Sequence, residues 1–366
     1  MSTPALVDRD DVRSRVDHLV DLYLTGARHD AAAELGDDVV PLFDAMGRLL
    51  GGGKRLRAAF TYWAWRSLTT DVGEAEGALR LGAALELFQA AALFHDDLMD
   101  KSDTRRGHAT AHVHFARVHR AGGWPGDSAQ FGLSAAVLLG DLALAGCERM
   151  LSTALEHLPE RVGSPTREIF DTMRAEVTLG QYLDVLSQVR PWSDDASEDE
   201  RRARAVIRAK SARYSVEHPL SLGAASAGAD EETLAGVRRF GLPLGEAFQL
   251  RDDILGVFGD PATTGKPAGD DLREGKRTVL LARALGGATP AEAALVRGLV
   301  GSPELTDDEI NDLREIFVRT GALDGVEKLV DELADEAFAA LDVLDLEGEG
   351  ATMLRALGYA AIERSA

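Results

Sequence analysis

The chain has 366 residues, 45% apolar and 28% charged, and its 40 Lys and Arg against 61 Asp and Glu leave a net charge of −21. That balance is ordinary for a soluble globular protein and repels nucleic acid and anionic membrane surfaces. A single cysteine, Cys147, excludes an internal disulfide and an all-cysteine metal site, and its neighbours Leu142, Leu144 and Met150 predict a buried small hydrophobe.

In chain order, Met1 to Asp11 is acidic and lacks the apolar core of a secretory signal, and residues 1–8 are expected to fray. No apolar run approaches the roughly 20 residues of a bilayer span, so the expectation is a cytoplasmic protein that does not span a membrane. Val12, Val16, Leu19, Val20 and Tyr23 recur at helical steps, as do Leu81, Leu85, Phe88 and Ala92. Breakers separate these runs at Gly51-Gly52-Gly53, Ala121 to Gly126, Pro191 to Glu200, Gly228 to Glu231, Gly259 to Gly269 and Gly286-Gly287. Ser164 before Pro165 and Glu168, and Thr306 before Asp307 to Glu309, read as helix starts. Strand-type alternation is scarce, so the sequence predicts about a dozen helices, no strand, and one all-α domain over residues 1–366. The acidic stretch Ser193 to Glu200 reads as a solvated loop.

Two acidic segments follow apolar helical runs. In Phe94-His95-Asp96-Asp97-Leu98-Met99-Asp100, Asp96 and Asp100 are four apart, on one helix face. Like charges at that spacing repel by a few tenths of a kcal/mol, so they call for a counter-charge, and all-oxygen donors favour Mg²⁺. In Arg251-Asp252-Asp253-Ile254-Leu255-Gly256-Val257-Phe258-Gly259-Asp260, Asp252 and Asp260 share a face if the helix continues. Two such segments could face each other across a bundle and hold metal ions. Basic residues stand beside them: Lys54 and Arg57, three apart after a glycine-rich helix-opening turn; Arg105 and Arg106; Lys210; Lys266; and Lys276. A helix start with Lys and Arg suits phosphate, although neither glycine-rich stretch has the spacing of a nucleotide P-loop.

These motifs resemble those of the trans-isoprenyl diphosphate synthases, or polyprenyl synthetases, in order from about Ala45 to Leu285, and are most similar to those of bacterial geranylgeranyl diphosphate synthases. The resemblance implies the isoprenoid synthase fold, a helical bundle around a deep central cavity, usually as a homodimer. It implies a chain-elongating prenyltransferase that condenses isopentenyl diphosphate with an allylic diphosphate, using three Mg²⁺ ions. Asp96, Asp97 and Asp100 match the first aspartate-rich motif, and Asp252 and Asp253 the second. The metal ligands it implies are Asp96, Asp100 and Asp252. Its third aspartate in the second motif is Gly256 here, which leaves Asp260 as a substitute. Lys54, Arg57 and Arg106 match the isopentenyl diphosphate site, where the usual histidine is Gln89, and Arg105 matches an allylic diphosphate contact. Lys210, Ser211, Gln249, Lys266 and Lys276 match further diphosphate and carbocation contacts, with Ser211 in place of the commoner threonine.

The implied chemistry is ionisation to an allylic cation, attack by isopentenyl diphosphate, and proton loss without a protein base. Ala91 and Ala92, five and four before Asp96, are too small to end the cavity early, and Phe88 is a candidate floor. A twenty-carbon product is expected, with fifteen or twenty-five carbons as alternatives. A class I terpene cyclase would share the fold, but its metal triad is broken at Gly256 and it has no use for Lys54 and Arg57. A non-catalytic prenyltransferase subunit is the other alternative, and the intact first motif speaks against it.

Overall fold

The computed structural model describes residues 9–69, 75–193, 195–259, 269–346 and 348–363, so the tail expected to fray, Lys266 and Asp260 lie outside the described residues. As the periodicity predicts, helices dominate. The chain divides into two compact units, each built from separated stretches.

The first unit comprises residues 1–169, 219–234 and 345–357. It contains α1 (Val12–Leu35), α2 (Val40–Leu50), α3 (Leu56–Arg66), α4 (Ala75–Met99), α5 (Ala111–Ala121) and α6 (Ser128–Glu156). The first part of α7 (Glu160–Val189), most of α9 (His218–Ser226) and much of α16 (Gly348–Ile362) complete it. α4 is its central helix and packs against α1, α3 and α6. Close approach depends on small residues: a Cβ at Gly82 would lie 2.8 Å from Ala58 Cβ, and one at Gly140 would overlap the His95 ring. Cys147 is fully buried, as its neighbours predict.

The second unit comprises residues 170–218, 235–344 and 358–366. It contains the rest of α7, α8 (Ala196–Val206), a π-helical stretch Ile207–Glu217, and most of α10 (Glu231–Phe258). It continues through α11 (Asp270–Glu274), α12 (Val279–Gly287), α13 (Pro290–Leu299), α14 (Asp307–Arg319) and α15 (Ala322–Asp342). The buried residues Val279, Leu280, Leu281, Ala282 and Ala284 make α12 the core helix, packed on α8, α14 and α15. Capping boxes start α13 at Thr289 and α14 at Thr306, the second as the sequence predicts.

The structure corrects five sequence expectations. Two short strands exist, β1 (Thr104–Arg105) and β2 (His108–Ala109), paired antiparallel. Their two-residue turn, Arg106-Gly107, has φ of 52° and 76°, the positive-φ pair of a hairpin turn, which Arg-Gly does not advertise in sequence. The acidic stretch after Ser193 is largely the first turn of α8, capped by Asp195, where Glu198 and Asp199 suit the helix dipole. Helix α7 begins at Glu160, so Ser164-Pro165 lies inside it rather than starting it. α10 ends at Phe258, so the helix that carries Asp252 does not continue as the shared face requires. Finally, α4 and α6 are long and apolar enough by length and composition to cross a bilayer, with 78% and 44% of their most apolar windows buried. Core packing accounts for α4. α6 instead leaves Phe131, Leu133, Val137 and Leu138 exposed.

Candidate functional site

In the first unit, the glycine-rich turn is a strained loop ahead of α3. Gly52 and Gly53 have φ of 82° and 106°, and Arg55 has φ of 52°, where a side chain costs about 1–3 kcal/mol. Lys54 precedes the helix, so it does not share a helical face with Arg57 as the spacing suggests. The strain is offset by a buried clamp on Arg55. Its Nε donates to Asp17 Oδ1 at 2.7 Å, its Nη1 to Glu86 Oε2 at 2.8 Å, and its Nη2 to the Leu50 carbonyl. The Arg55 and Glu86 side chains are 5% and 4% exposed.

Arg106, on the hairpin turn, joins this loop. Its Nη1 donates to the Leu49 carbonyl at 3.1 Å, and a Cβ at Gly53 would lie 3.8 Å from its guanidinium. Partial burial draws the Arg106 pKa down, helped by repulsion from Arg55, Arg105 and Arg57 and opposed by Glu86. Four arginines therefore crowd one loop and hairpin; Arg55 and Arg105 hold carboxylates, and Arg57 and Arg106, with Lys54 on the same loop, suit a polyanion.

The first acidic segment closes α4, and Asp100 N donates to Asp96 O at 2.8 Å. Asp97 is 2% exposed. Arg105 supplies the counter-charge that the spacing calls for: its Nε donates to Asp97 Oδ1 at 2.8 Å, and its Nη2 lies 3.7 Å from Asp96 Oδ2. Asp96 and Asp100 thus share a helix end with Arg105 already seated against the middle carboxylate. On a regular helix Gln89, seven residues before Asp96, falls about 20° from its line, whereas Phe88 falls about 80° away. Burial agrees: Gln89, Ala92 and Leu93 are partly open, while Ala91 and Phe88 are 1% and 5% exposed.

The second unit holds the other predicted residues. Lys210 Nζ lies 2.6 Å from Asp184 Oδ2, and Asp184 is 6% exposed. A Cβ at Gly180 would overlap the Lys210 backbone nitrogen, so α7 lies directly against the π-helical stretch that carries Lys210. Ser211 Oγ donates to Gln249 Oε1, and Gln249 Nε2 donates to Asp253 Oδ1 at 2.8 Å, which fixes the Gln249 amide. Asp253, 7% exposed, is pushed up to about 8 by burial and then by the charge of Asp271, against the Gln249 hydrogen bond. Lys276 Nζ lies 3.3 Å from Asp271 Oδ1 and 2.6 Å from Glu274 Oε2. Asp252 is partly exposed beside Asp253.

Three acidic residues that the sequence reading does not single out pair with basic residues of these segments: Glu86 with Arg55, Asp184 with Lys210 and Asp271 with Lys276. The first two carry a usable signal, a lone acid within an otherwise apolar helical run, which must find a cation when buried. The donors fit Mg²⁺, being carboxylate oxygens. Among the described residues no three His, Cys, Asp or Glu converge as a ready-made metal cage.

Residues 41–317 match the family model described as polyprenyl synthetase. The chain is 31% identical over 302 residues to a geranylfarnesyl diphosphate synthase of Aeropyrum pernix, covering 81% of this chain and 86% of that protein. It is also 31% identical over 311 residues to a geranylgeranyl diphosphate synthase of Sulfolobus acidocaldarius, covering 84% and 86%. A crystal structure of geranylgeranyl pyrophosphate synthase from Corynebacterium glutamicum, complexed with isoprenyl diphosphate and magnesium, is similar over 100% of both chains, with a TM-score of 0.88 and 36% identity.

Proposed function

The chain belongs to the polyprenyl synthetase family and is a chain-elongating prenyltransferase, and we propose that it makes geranylgeranyl diphosphate in a Mg²⁺-dependent reaction. The relatives' names span products of different length, so the twenty-carbon product rests on this chain's own residues. Ala92 is small and partly open, on the Asp96 face one turn below the acidic segment. The metal is Mg²⁺, three ions by resemblance to the family, with Asp96, Asp100 and Asp252 as ligands.

The observation that carries the reading is the arginine cluster of Arg55, Arg57, Arg105 and Arg106. It places Lys54, Arg57 and Arg106 together on one loop and hairpin, beside Arg55 and Arg105, which are held by carboxylates, within the unit that holds the first acidic segment. A condensation of two diphosphates needs a metal-assisted site for the leaving diphosphate and a metal-independent site for the other. Lys54, Arg57 and Arg106 bind the isopentenyl diphosphate, with Gln89 as a hydrogen-bonding neighbour in place of a cationic histidine. Arg105, oriented by Asp97, binds the allylic diphosphate from the first unit, and Lys210, Lys266 and Lys276 are diphosphate contacts by resemblance to the family.

Mg²⁺ held by carboxylates such as Asp96 and Asp100 would supply Lewis-acid chemistry to the leaving diphosphate. The allylic C–O bond breaks, the double bond of isopentenyl diphosphate attacks the resulting cation, and a proton passes to the released diphosphate. Gln249, its amide fixed between Ser211 and Asp253, and the Lys210 carbonyl offer dipoles to the cation. Apolar helix surface excludes water that would quench it. A terpene cyclase takes a single diphosphate and leaves the cationic loop without a task.

The exposed apolar residues of α6, Phe131, Leu133, Val137 and Leu138, suit the interface of a homodimer, and light scattering tests that assembly. The cytoplasm, where both diphosphate substrates are water-soluble, is the compartment that fits the enzyme. The two-site reading is tested by Lys54→Ala and Arg57→Ala. Each is expected to raise KM for isopentenyl diphosphate about tenfold or more, the loss of a charge-assisted hydrogen bond worth about 1.5–3 kcal/mol, while leaving KM for the allylic substrate near its original value. Equal changes in both constants would refute it.

A further inference from the structure

The π-helical stretch Ile207–Glu217 continues α8 without a break, and a buried carboxylate holds the junction. Glu246, on α10, is 1% exposed. Arg204, in the last turn of α8, donates from Nε and Nη2 to Glu246 Oε2 at 3.1 and 2.8 Å. Arg208, the second residue of the π-helical stretch, donates from Nε to Glu246 Oε1. One carboxylate therefore bridges the change from α to π winding, with one oxygen on each side of it.

Two further contacts join the same elements. A Cβ at Gly245 would overlap the Ala212 carbonyl oxygen, so α10 lies directly against the π-helical stretch beside Glu246. One turn along α10, Gln249 Oε1 accepts from Ser211 Oγ. A π-helix bonds i to i+5 where an α-helix bonds i to i+4, so the residue at which the winding changes decides which way Lys210 and Ser211 point. Stability alone gives little reason for the arrangement, because exchanging buried ion pairs for apolar side chains is often neutral or stabilising, whereas fixing register is the best-attested use of such groups.

We propose that Glu246 is a positioning residue for the condensation: through Arg204 and Arg208 it fixes where the π-helical stretch begins, and so aims the Lys210 carbonyl and the Ser211–Gln249 pair. This rests on the reading that Lys210 and Gln249 offer their dipoles to the allylic cation. Glu246 acts at one remove, since both of its oxygens are taken by the arginines.

The test is steady-state kinetics with isopentenyl and allylic diphosphates on Glu246→Gln and on Arg208→Met, with far-ultraviolet circular dichroism as the check on folding. The Arg208 side chain is 47% exposed, so its variant keeps the proposal testable if Glu246→Gln folds poorly. Both are expected to lower kcat about tenfold or more, since a misplacement of about 1 Å can cost about a hundredfold, and to leave KM for isopentenyl diphosphate near its original value. A double-mutant cycle separates positioning from general loosening: Glu246→Gln combined with Gln249→Ala should lose less than the product of the two single losses. Glu246→Leu with Arg204→Met and Arg208→Met should recover the melting temperature lost in Glu246→Gln without recovering kcat. Wild-type kcat in the folded single variants, a rise in KM for isopentenyl diphosphate as large as the fall in kcat, losses that multiply in the cycle, or kcat recovered along with melting temperature in the triple variant would each overturn the proposal. Gln249→Ala separates the two levels: a lowered kcat there with Glu246→Gln at wild-type rate removes only this inference, whereas wild-type kcat in Gln249→Ala removes the cation reading as well.

Discussion

Glu86→Ala removes the buried partner of Arg55 and should damage both stability and substrate binding. The guanidinium is 5% exposed and keeps Asp17 and the Leu50 carbonyl after the substitution, but its Nη1 loses a charged acceptor at 2.8 Å. Breaking a buried pair from one side costs about 3–5 kcal/mol. A chain of 366 residues that unfolds cooperatively has an unfolding entropy of about 0.8 kcal/mol/K, so the melting temperature should fall by about 4–6 °C. Glu86→Gln keeps an acceptor without the charge and should cost about half as much. Arg55 sits at φ 52°, so losing the clamp also relaxes the loop that carries Lys54. KM for isopentenyl diphosphate should then rise with a smaller change in kcat. Differential scanning calorimetry and initial-rate kinetics measure the two effects. A melting temperature within about 1 °C of wild type would refute the clamp. A lower melting temperature with unchanged KM would refute its role in shaping the loop.

Gly180→Ala should displace the Lys210 backbone, because its new Cβ overlaps the Lys210 nitrogen, and lower kcat far more than a surface Gly→Ala such as Gly298→Ala, which meets no neighbour within 4 Å. Ala92→Phe should shorten the product, since Ala92 is on the partly open Asp96 face. Phe88→Ala should cost about 3–5 kcal/mol as a buried cavity; a longer product would support Phe88 as the cavity floor, and an unchanged product length would rule that role out. Burial raises the Glu217 pKa, and its Oε2 accepts no hydrogen bond. The folded state therefore retains a proton that the unfolded state releases above about pH 4.3, and stability is lost as pH rises from there. Glu217→Gln should stabilise the protein relative to wild type increasingly as pH rises through that window, with no difference well below it; urea melts at several pH values check this. Burial lowers the pKa of neighbouring His218 against the pull of Glu176, so it acts with the opposite sign, losing stability as pH falls below about 6.5.

Local spacing made part of the site legible. Asp96 and Asp100 share a helix end because four residues make about one turn, and that needs no tertiary knowledge. The spacing also called for a counter-charge, and Arg105 supplies it. That its partner is the middle carboxylate, Asp97, was not legible, because it depends on a hairpin whose Arg-Gly turn lacks the usual Asn-Gly or Asp-Gly signal. Lys54 and Arg57 read as one helical face, but backbone strain at Gly52, Gly53 and Arg55 keeps Lys54 outside the helix. Gly180 and Gly256 look like ordinary helical glycines in sequence. One admits the Lys210 backbone and the other the Asp271 carboxylate, and both neighbours are distant in the chain. The glycine at 256 was visible at once; that the Asp271 carboxylate lies against it is a tertiary fact.

Product analysis tests the central claim most directly: purified protein, Mg²⁺, isopentenyl diphosphate and each of the five-, ten- and fifteen-carbon allylic diphosphates in turn. The account predicts a linear twenty-carbon diphosphate that incorporates isopentenyl label and disappears when Mg²⁺ is chelated. A cyclic hydrocarbon formed from a ready-made long-chain diphosphate, without isopentenyl incorporation, would contradict it.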